Sequence, residues 1–340
     1  MSEPLLEVRD LHKHFPIRGG VMRRTRHNVR AVDGVSFTLA AGETLGLVGE
    51  SGCGKSTTGR LLTGLERPSS GQITFRGSDV SDLSRSERRR LARDVQIVFQ
   101  DPHASLSPRM TVHDIVAEPL RVQGTYADGG AQRVRDVLAS VGLTEQHESR
   151  YAHEFSGGQR QRIGIARALV LGPAVIVLDE PVSARDVSIR AQVVNELEAL
   201  QDTLGLAYLF ISHDLSVVRH TCDRVAVMYL GRIVESGTRA DLFTAPEHPY
   251  TQALLSAIPT PDLDESTGRE RIVLRGDVPS PSDPPSGCRF RTRCWKAQAV
   301  CATDEPPLLQ IGSGDHAVAC HFPKAVDVLA GEDVGAYAHE

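Results

Sequence analysis

The densest chemistry in the sequence lies in Gly49-Glu50-Ser51-Gly52-Cys53-Gly54-Lys55-Ser56-Thr57, a full G-x-x-x-x-G-K-[ST] pattern. Glycines let successive backbone N–H groups curl around an oxyanion, and a helix opening at Lys55 adds its positive end. Lys55 then reaches the outer phosphates of a nucleotide, and the Ser56 hydroxyl is placed for Mg²⁺. The chain has four lysines, Lys13, Lys55, Lys296 and Lys324, so a lysine at this position is not a matter of composition. Cys53, inside the loop, is expected to pack, because phosphoryl transfer here uses no thiol.

Two further segments can act on a phosphate. The apolar run Ala174–Leu178 closes on Asp179 and Glu180. Ligands of a parallel sheet gather beyond the carboxyl ends of its strands. That puts Asp179 within reach of Mg²⁺ and Glu180 beside an attacking water. Taken alone, a strand followed by Asp-Glu marks only a strand exit; beside a phosphate loop it becomes a catalytic pair. In Phe155-Ser156-Gly157-Gly158-Gln159-Arg160-Gln161-Arg162, Ser156 is a good N-cap for a helix running to Leu171. Its two glycines leave bare N–H groups for a second anion.

Cys288, Cys294, Cys301 and Cys320 are separated by five, six and eighteen residues. This is neither a C-x₂-C zinc ribbon nor a standard ferredoxin run. In a reducing compartment such a cluster is more a metal site than a disulfide framework, with free thiols as the plain alternative. Soft thiolates suit an iron–sulfur cluster or Zn²⁺. Cys222 reads as buried packing.

Alternating elements must carry these groups. Thr44–Gly49 reads as a strand followed by a helix through Lys55–Leu65, and Asp94–Gln100, Ala174–Asp179, Ala207–Ser212 and Val225–Tyr229 read as further strands. Val134, Val137, Leu138 and Val141 repeat at helical spacing, as do Val193, Leu197, Leu200 and Leu204. Such alternation predicts a mostly parallel sheet covered on both faces. Leu5–Phe15 and Val35–Leu39 alternate like antiparallel strands, joined by a solvated loop holding Arg18, Arg23, Arg24, Arg26 and Arg30.

Composition changes after residue 258. Pro259–Gly268 is rich in Pro, Asp, Glu and Thr, and Val278–Gly287 holds four prolines in ten residues. The expected division is a domain over 1–258, an appendage over 259–323 behind a linker that separates it from the phosphate site, and a frayed tail over 324–340.

Of 340 residues, 40% are hydrophobic and 24% charged, which is ordinary globular composition and excludes disorder throughout. A net charge of -5 argues against a dedicated nucleic-acid binder. No run approaches the 18 or so apolar residues of a membrane span, and Met1–Asp10 has no apolar signal core. A cytosolic chain, or one docked on the cytosolic side of a partner, is expected.

The segment Phe155–Gln159 closely resembles the signature motif of ATP-binding-cassette proteins, commonly LSGGQ, with Phe155 in place of leucine. In that family cassettes pair head to tail, and the signature of one closes over the γ-phosphate held by the other. Gln100 resembles the Q-loop glutamine, which links the metal site to the transport partner. His213 resembles the switch histidine that contacts γ-phosphate, and Phe15 aligns with the aromatic that stacks on adenine. Ser183-Ala184-Arg185-Asp186 resembles the D-loop, with Arg185 as a departure from the usual leucine.

Farther on, His248–Leu255, Arg275–Pro281, Cys288-Arg289-Phe290 and Arg293-Cys294 resemble the C-terminal segment of ATPase subunits of oligopeptide and dipeptide importers. The likeness covers roughly residues 5–323. It implies a P-loop NTPase cassette with an antiparallel N-terminal subdomain, a helical signature subdomain and a small cysteine-containing appendage. It also implies ATP and Mg²⁺ at the site, with Ser56, Gln100 and Asp179 around the metal. Lys55, Glu180 and His213 are then catalytic, and the nucleotide set is Phe15, Gly49, Ser51 to Thr57, Gln100, Ser156 to Gln159, Asp179 and Asp186.

The four tail cysteines match those that hold a [4Fe-4S] cluster in some relatives. The implied partners are a second ATPase subunit in a heterodimer, two membrane permeases and, indirectly, a substrate-binding protein, at the cytoplasmic face of the inner membrane. Other readings are an importer ATPase for a nickel chelate or sugar, a cassette acting on DNA or ribosomes, and a redox-sensing regulator.

Overall fold

The computed structural model describes residues 3–19, 24–101, 105–181, 187–258, 271–312 and 314–329. A long antiparallel hairpin comes first, β1 (Leu6–Gly19) and β2 (Arg24–Leu39). β3 (Thr44–Val48) and α1 (Lys55–Leu62) follow, then β4 (Ser70–Phe75), β5 (Ser78–Asp79), α2 (Arg85–Asp94) and β6 (Val95–Val98). A helical insert holds α3 (Val112–Gln123), α4 (Gly130–Ser140) and α5 (Gly157–Leu169). The chain then alternates again through β7 (Val175–Asp179), α6 (Val187–Leu204), β8 (Ala207–Ser212), α7 (Leu215–Thr221) and β9 (Arg224–Tyr229). It closes through β10 (Arg232–Thr238), α8 (Arg239–Thr244), α9 (Pro249–Ser256), α10 (Val300–Thr303), β11 (Leu309–Gln310) and β12 (Ala317–Val318).

The larger sheet has the order β11-β12-β10-β9-β3-β8-β7-β6. Its five strands from β9 to β6 are parallel, and β10, β12 and β11 extend it antiparallel. TLGLV, VIVLD and AYLFIS are buried at every position, as near-continuous apolar runs in a doubly covered parallel sheet should be. Because successive side chains point to opposite faces, each strand feeds two cores. Ile176, Leu178, Tyr208 and Phe210 pack with α3, α4, α5 and α6. Val175, Val177, Leu209 and Ile211 pack with α1 and the smaller sheet, ordered β2-β1-β4-β5. The mostly parallel α/β cassette with an antiparallel subdomain and a helical subdomain is the expected architecture. Among the described residues no helix is long and apolar enough to cross a membrane.

Three expectations fail. The arginine-rich segment is not a loop: Arg18 pairs with Thr25 and Gly19 with Arg24, so the ladder continues far past Phe15. Backbone hydrogen bonds carry a hairpin whatever the side chains, so its outer half needs no apolar alternation; Arg23 lies outside the described residues. The tail is not frayed at its start, since Val326 and Val328 are buried in the main core and the Val326 N–H donates to the Pro246 carbonyl at 3.3 Å. Nor is the appendage held away from the cassette. β12 pairs with β10, Glu235 opposite Val318, and Phe290 is buried against Tyr229 and Tyr250 with ring centroids 5.3 and 5.4 Å away. The composition break at 259–270 falls on residues outside the description and says nothing about where the chain goes next.

Candidate active site

The phosphate loop leaves β3 and enters α1 through backbone that only glycine tolerates at two points. Gly49 has φ 149°, and a Cβ there would lie 2.1 Å from the Met228 carbonyl oxygen. Gly54 has φ 110°, and its Cβ would lie 2.0 Å from the Ala31 carbonyl oxygen. Ser51 and Gly52 form the exposed crest, while Cys53 is buried and its thiol is pushed up by desolvation, against the pull of Lys55. That suits the packing role expected of it. Gly54 caps α1 without a side-chain hydrogen bond, which leaves the first-turn N–H groups open to an anion. Lys55 is 5% exposed, and its Nζ donates to the Gly49 carbonyl at 2.7 Å and the Glu50 carbonyl at 3.0 Å. Ser56 and Thr57, half-buried, stand in the first turn.

Across from the loop, the end of β7 delivers two acids. Ser56 Oγ donates to Asp179 Oδ1 at 2.9 Å. Burial pushes the Asp179 carboxyl above the usual range, and neighbouring Glu180 adds to this while Ser56 and Lys55 oppose it. A desolvated carboxylate beside a hydroxyl is an oxygen donor set that a hard cation satisfies. Glu180 takes φ 49°, rare for a non-glycine residue and worth about 1–3 kcal/mol of strain. Its N–H donates to the Ile211 carbonyl at 2.9 Å. Its carboxylate then sits between two partners: Gln100 Nε2 donates to Oε2 at 2.6 Å, and His213 Nδ1 lies 3.1 Å from Oε1. Strands β6, β7 and β8 end side by side, which is why residues 80 positions apart meet here.

The other expected residues are placed elsewhere or not at all. Ser156 caps α5 in a reciprocal box: its Oγ accepts from the Gln159 N–H at 3.3 Å, and its own N–H donates to Gln159 Oε1 at 3.1 Å. Ser156 and Gly157 are exposed, Gly158 is half-buried, and among the described residues no hydrogen bond joins this motif to the phosphate loop. Phe15 is half-buried on β1 opposite Val29, with Lys13 Nζ 4.8 Å from its ring centroid. Asp186, with Ser183 to Arg185, lies outside the described residues.

Sequence reasoning missed what surrounds Glu50. Its N–H donates to the Tyr250 hydroxyl at 2.8 Å, and its carboxylate accepts two bonds from the Arg293 guanidinium at 2.7 and 3.0 Å. A second arginine of the appendage, Arg289, is paired with buried Asp33 of β2. Only the quoted Arg293-Cys294 motif hinted at a function, and nothing in it points back 243 residues.

In the appendage burial pushes the Cys294 thiol up to about 12, and the neighbouring Cys320, Cys288 and Cys301 add smaller upward contributions. The Phe322 N–H donates to Cys320 Sγ at 3.4 Å. Such a donor favours a thiolate over a thiol. Among the described residues the buried Lys296 Nζ has no hydrogen-bond partner. Among the described residues no three of these sulfurs lie within 4.8 Å of one another, whereas Zn–S bonds of about 2.3 Å in a tetrahedron bring sulfurs to about 3.8 Å.

Comparison with known proteins adds the following. Residues 32–183 match the ABC transporter family, and residues 234–301 match the oligopeptide/dipeptide transporter C-terminal region. The chain is 54% identical over 323 residues to the oligopeptide transport ATP-binding protein AppF of Bacillus subtilis, covering 94% of this chain and 98% of that protein. It is 50% identical to the dipeptide transport ATP-binding protein DppF of Escherichia coli, covering 94% and 95%. Among solved structures, CbiO1 of Clostridium perfringens, part of an ABC transporter complex, superposes with a TM-score of 0.61 at 30% identity, covering 71% of this chain and 91% of that one. The ATP-binding cassette MJ0796, solved as a dimer bound to ADP and Pi, also gives 0.61, at 25% identity, covering 69% and 98%.

Proposed function

This chain belongs to the ATP-binding-cassette transporter ATPases and carries the C-terminal region of their oligopeptide/dipeptide branch, and on that premise we propose that it powers peptide import through separate membrane subunits. As a member of that family it is an ATP-hydrolysing transport subunit. The observation that carries the reading is Glu180, held between Gln100 and His213 beside the Ser56–Asp179 pair.

Each residue then has a task. The N–H groups of Gly52 to Thr57 receive the phosphates, and Lys55 exchanges the Gly49 and Glu50 carbonyls for phosphate oxygens. Ser56, Asp179 and Gln100 are the oxygen donors for Mg²⁺, which supplies charge neutralisation at the phosphates when bound. Glu180 orients a water and takes its proton at a carboxylate oxygen. The water oxygen bonds to the γ-phosphorus, the bond to the bridging oxygen breaks, and ADP leaves with the electron pair. His213 keeps Glu180 aimed and steadies the γ-phosphate, while Phe15 takes the adenine. The signature motif of a second ATPase subunit closes this site, and Ser156 to Gln159 of this chain, together with Asp186, close the partner's, in a head-to-tail pair that is a heterodimer. The exposed position of Ser156 supports this, since among the described residues no hydrogen bond joins its helix start to this chain's own phosphate loop.

We take residues 1–258 as the nucleotide-binding domain and 259–323 as the appendage. Two permeases, and behind them a substrate-binding protein, complete the machine at the cytoplasmic face of the membrane. We assign Cys288, Cys294, Cys301 and Cys320 to a [4Fe-4S] cluster with a structural role. Four soft sulfur donors and the Phe322 N–H on one of them support it. Anaerobic protein should carry about four irons per chain; one zinc, or no metal with four alkylatable thiols, rejects the assignment.

The transport reading is tested by deleting the gene for this chain from its host and measuring uptake of labelled di- and oligopeptides. Uptake should vanish and return with the wild-type chain but not with Glu180→Gln. Undiminished peptide uptake, with loss of nickel-chelate or sugar uptake instead, would reassign the cargo.

A further inference from the structure

The phosphate loop is usually regarded as a closed local motif, yet here its second residue is gripped from outside the cassette's own nucleotide machinery. Glu50 is bound three times. Its N–H goes to the Tyr250 hydroxyl, and both carboxylate oxygens accept from Arg293, at 2.7 and 3.0 Å. Its carbonyl oxygen, the remaining polar atom, accepts from Lys55 Nζ at 3.0 Å. Arg293 is itself well fixed, with a side chain only 8% exposed. It sits in the tight turn from Cys288 to Cys294, where the Arg293 N–H donates to the Phe290 carbonyl at 3.0 Å and Phe290 is wedged between Tyr229 and Tyr250. A planar guanidinium on a carboxylate fixes orientation as well as distance, which an ammonium does not.

We propose that Arg293 of the appendage is a positioning residue of the nucleotide site: through Glu50 it sets one of the two carbonyls on which the Lys55 amine rests, and so the readiness of the loop to receive phosphates. The inference rests on the reading of this loop as an ATP site. Arg293 touches no reacting atom. Its effect reaches Lys55 through one side chain and one peptide unit, so it belongs to nucleotide binding rather than to bond cleavage.

The experiment measures Mg-ATP affinity and steady-state ATPase on the full chain, for the wild type, Lys55→Ala, Arg293→Ala, Arg293→Lys, Glu50→Ala and the double variant Arg293→Ala/Glu50→Ala. Arg293→Ala should weaken ATP binding about tenfold and raise KM similarly, with kcat changed less than about twofold. Arg293→Lys should recover part of the loss. The double variant should bind within about twofold of the weaker single one, because both changes cut the same connection.

Additive losses in the double variant would overturn the proposal. So would an unchanged ATP affinity in Arg293→Ala accompanied by a lowered Tm and faster proteolysis of residues 279–323, since that pattern belongs to mere docking of the appendage. If Arg293→Ala does not fold, Glu50→Ala and Arg293→Lys carry the same decision. Lys55→Ala separates the two levels of the argument. If it binds ATP like the wild type, the ATP-site reading itself fails; if it loses binding while the Arg293 and Glu50 variants do not, only the present inference fails.

Discussion

Glu180 holds its place at a local cost, φ 49° in a residue with a Cβ, and two side chains from neighbouring strand ends keep its carboxylate aimed. Strain kept at a site where three polar groups converge is the kind that chemistry uses. Glu180→Gln preserves volume and one accepting oxygen but cannot take a proton. It should leave Mg-ATP affinity within about twofold and lower turnover by about 10²–10⁴-fold, the usual worth of a general base; a phosphate-release assay with a nucleotide titration checks both halves.

At this scale much was legible. Gly49 to Thr57 and Asp179-Glu180 could be found because their meaning is local, a spacing along one turn or one strand end. Arg293 and Arg289 could not, because a charge in a sequence does not name its partner, and theirs lie 243 and 256 residues away.

At the scale of elements, the loop is a bend forced between two fixed neighbours. Gly54→Ala would drive a Cβ to 2.0 Å from the Ala31 carbonyl oxygen at φ 110°. The backbone on one side must yield. The expected loss of stability exceeds the roughly 1–3 kcal/mol of left-handed strain alone, and nucleotide binding should fall with it; a urea titration and an ATP titration measure the two. Helix α5 tests the opposite situation, an end that faces outward. Ser156→Arg removes the cap from the Gln159 N–H, worth about 1 kcal/mol, and places bulk where the partner's nucleotide docks. In the heterodimer the site built on the partner's phosphate loop should lose turnover while ATP binding to this chain persists. Normal hydrolysis by the Ser156→Arg protein at every concentration would remove the argument for head-to-tail pairing.

The parallel strands were legible nearly residue for residue, because VIVLD and AYLFIS are buried on both faces and have little else they could be, whereas β4 and β10 were not. The hairpin β1–β2 was read short, since its outer half holds together by backbone pairing that leaves no apolar trace.

For the whole molecule, the join between cassette and appendage is lined with ionisable groups, and two histidines there pull in opposite directions. His248 is 1% exposed at the N-cap of α9, and burial, with the Lys296 charge, lowers it to about 3. Below pH 6.5 the unfolded chain takes this proton and the native one does not, so the contribution is complete above 6.5 and is lost as pH falls toward 3. Between pH 7 and 5 the loss amounts to roughly 2 kcal/mol. His316 is raised by its bond to Glu235 at 2.8 Å, so its contribution is present below 6.5 and fades as pH rises through that higher value. His248→Asn keeps an acceptor for the Tyr250 N–H and removes the titration. Chemical denaturation at pH 7 and pH 5 should show it losing less stability on acidification than the wild type, and an equal loss would place the acid sensitivity elsewhere.

The pairing of β10 with β12 and of Glu50 with Arg293 also has a meaning in time. A ribosome adding about 5–20 residues per second needs roughly 12–50 s to travel the 243 residues from Glu50 to Arg293. Late in that interval, once β10 has been made, the nascent cassette has its glycine loop and its parallel strands but an open edge at β10 and no guanidinium for Glu50. A stalled or prematurely terminated product would therefore emerge with every local nucleotide motif intact and still be an aggregation-prone, unfinished sheet, a state that a chaperone could distinguish from the mature protein by its bare edge alone.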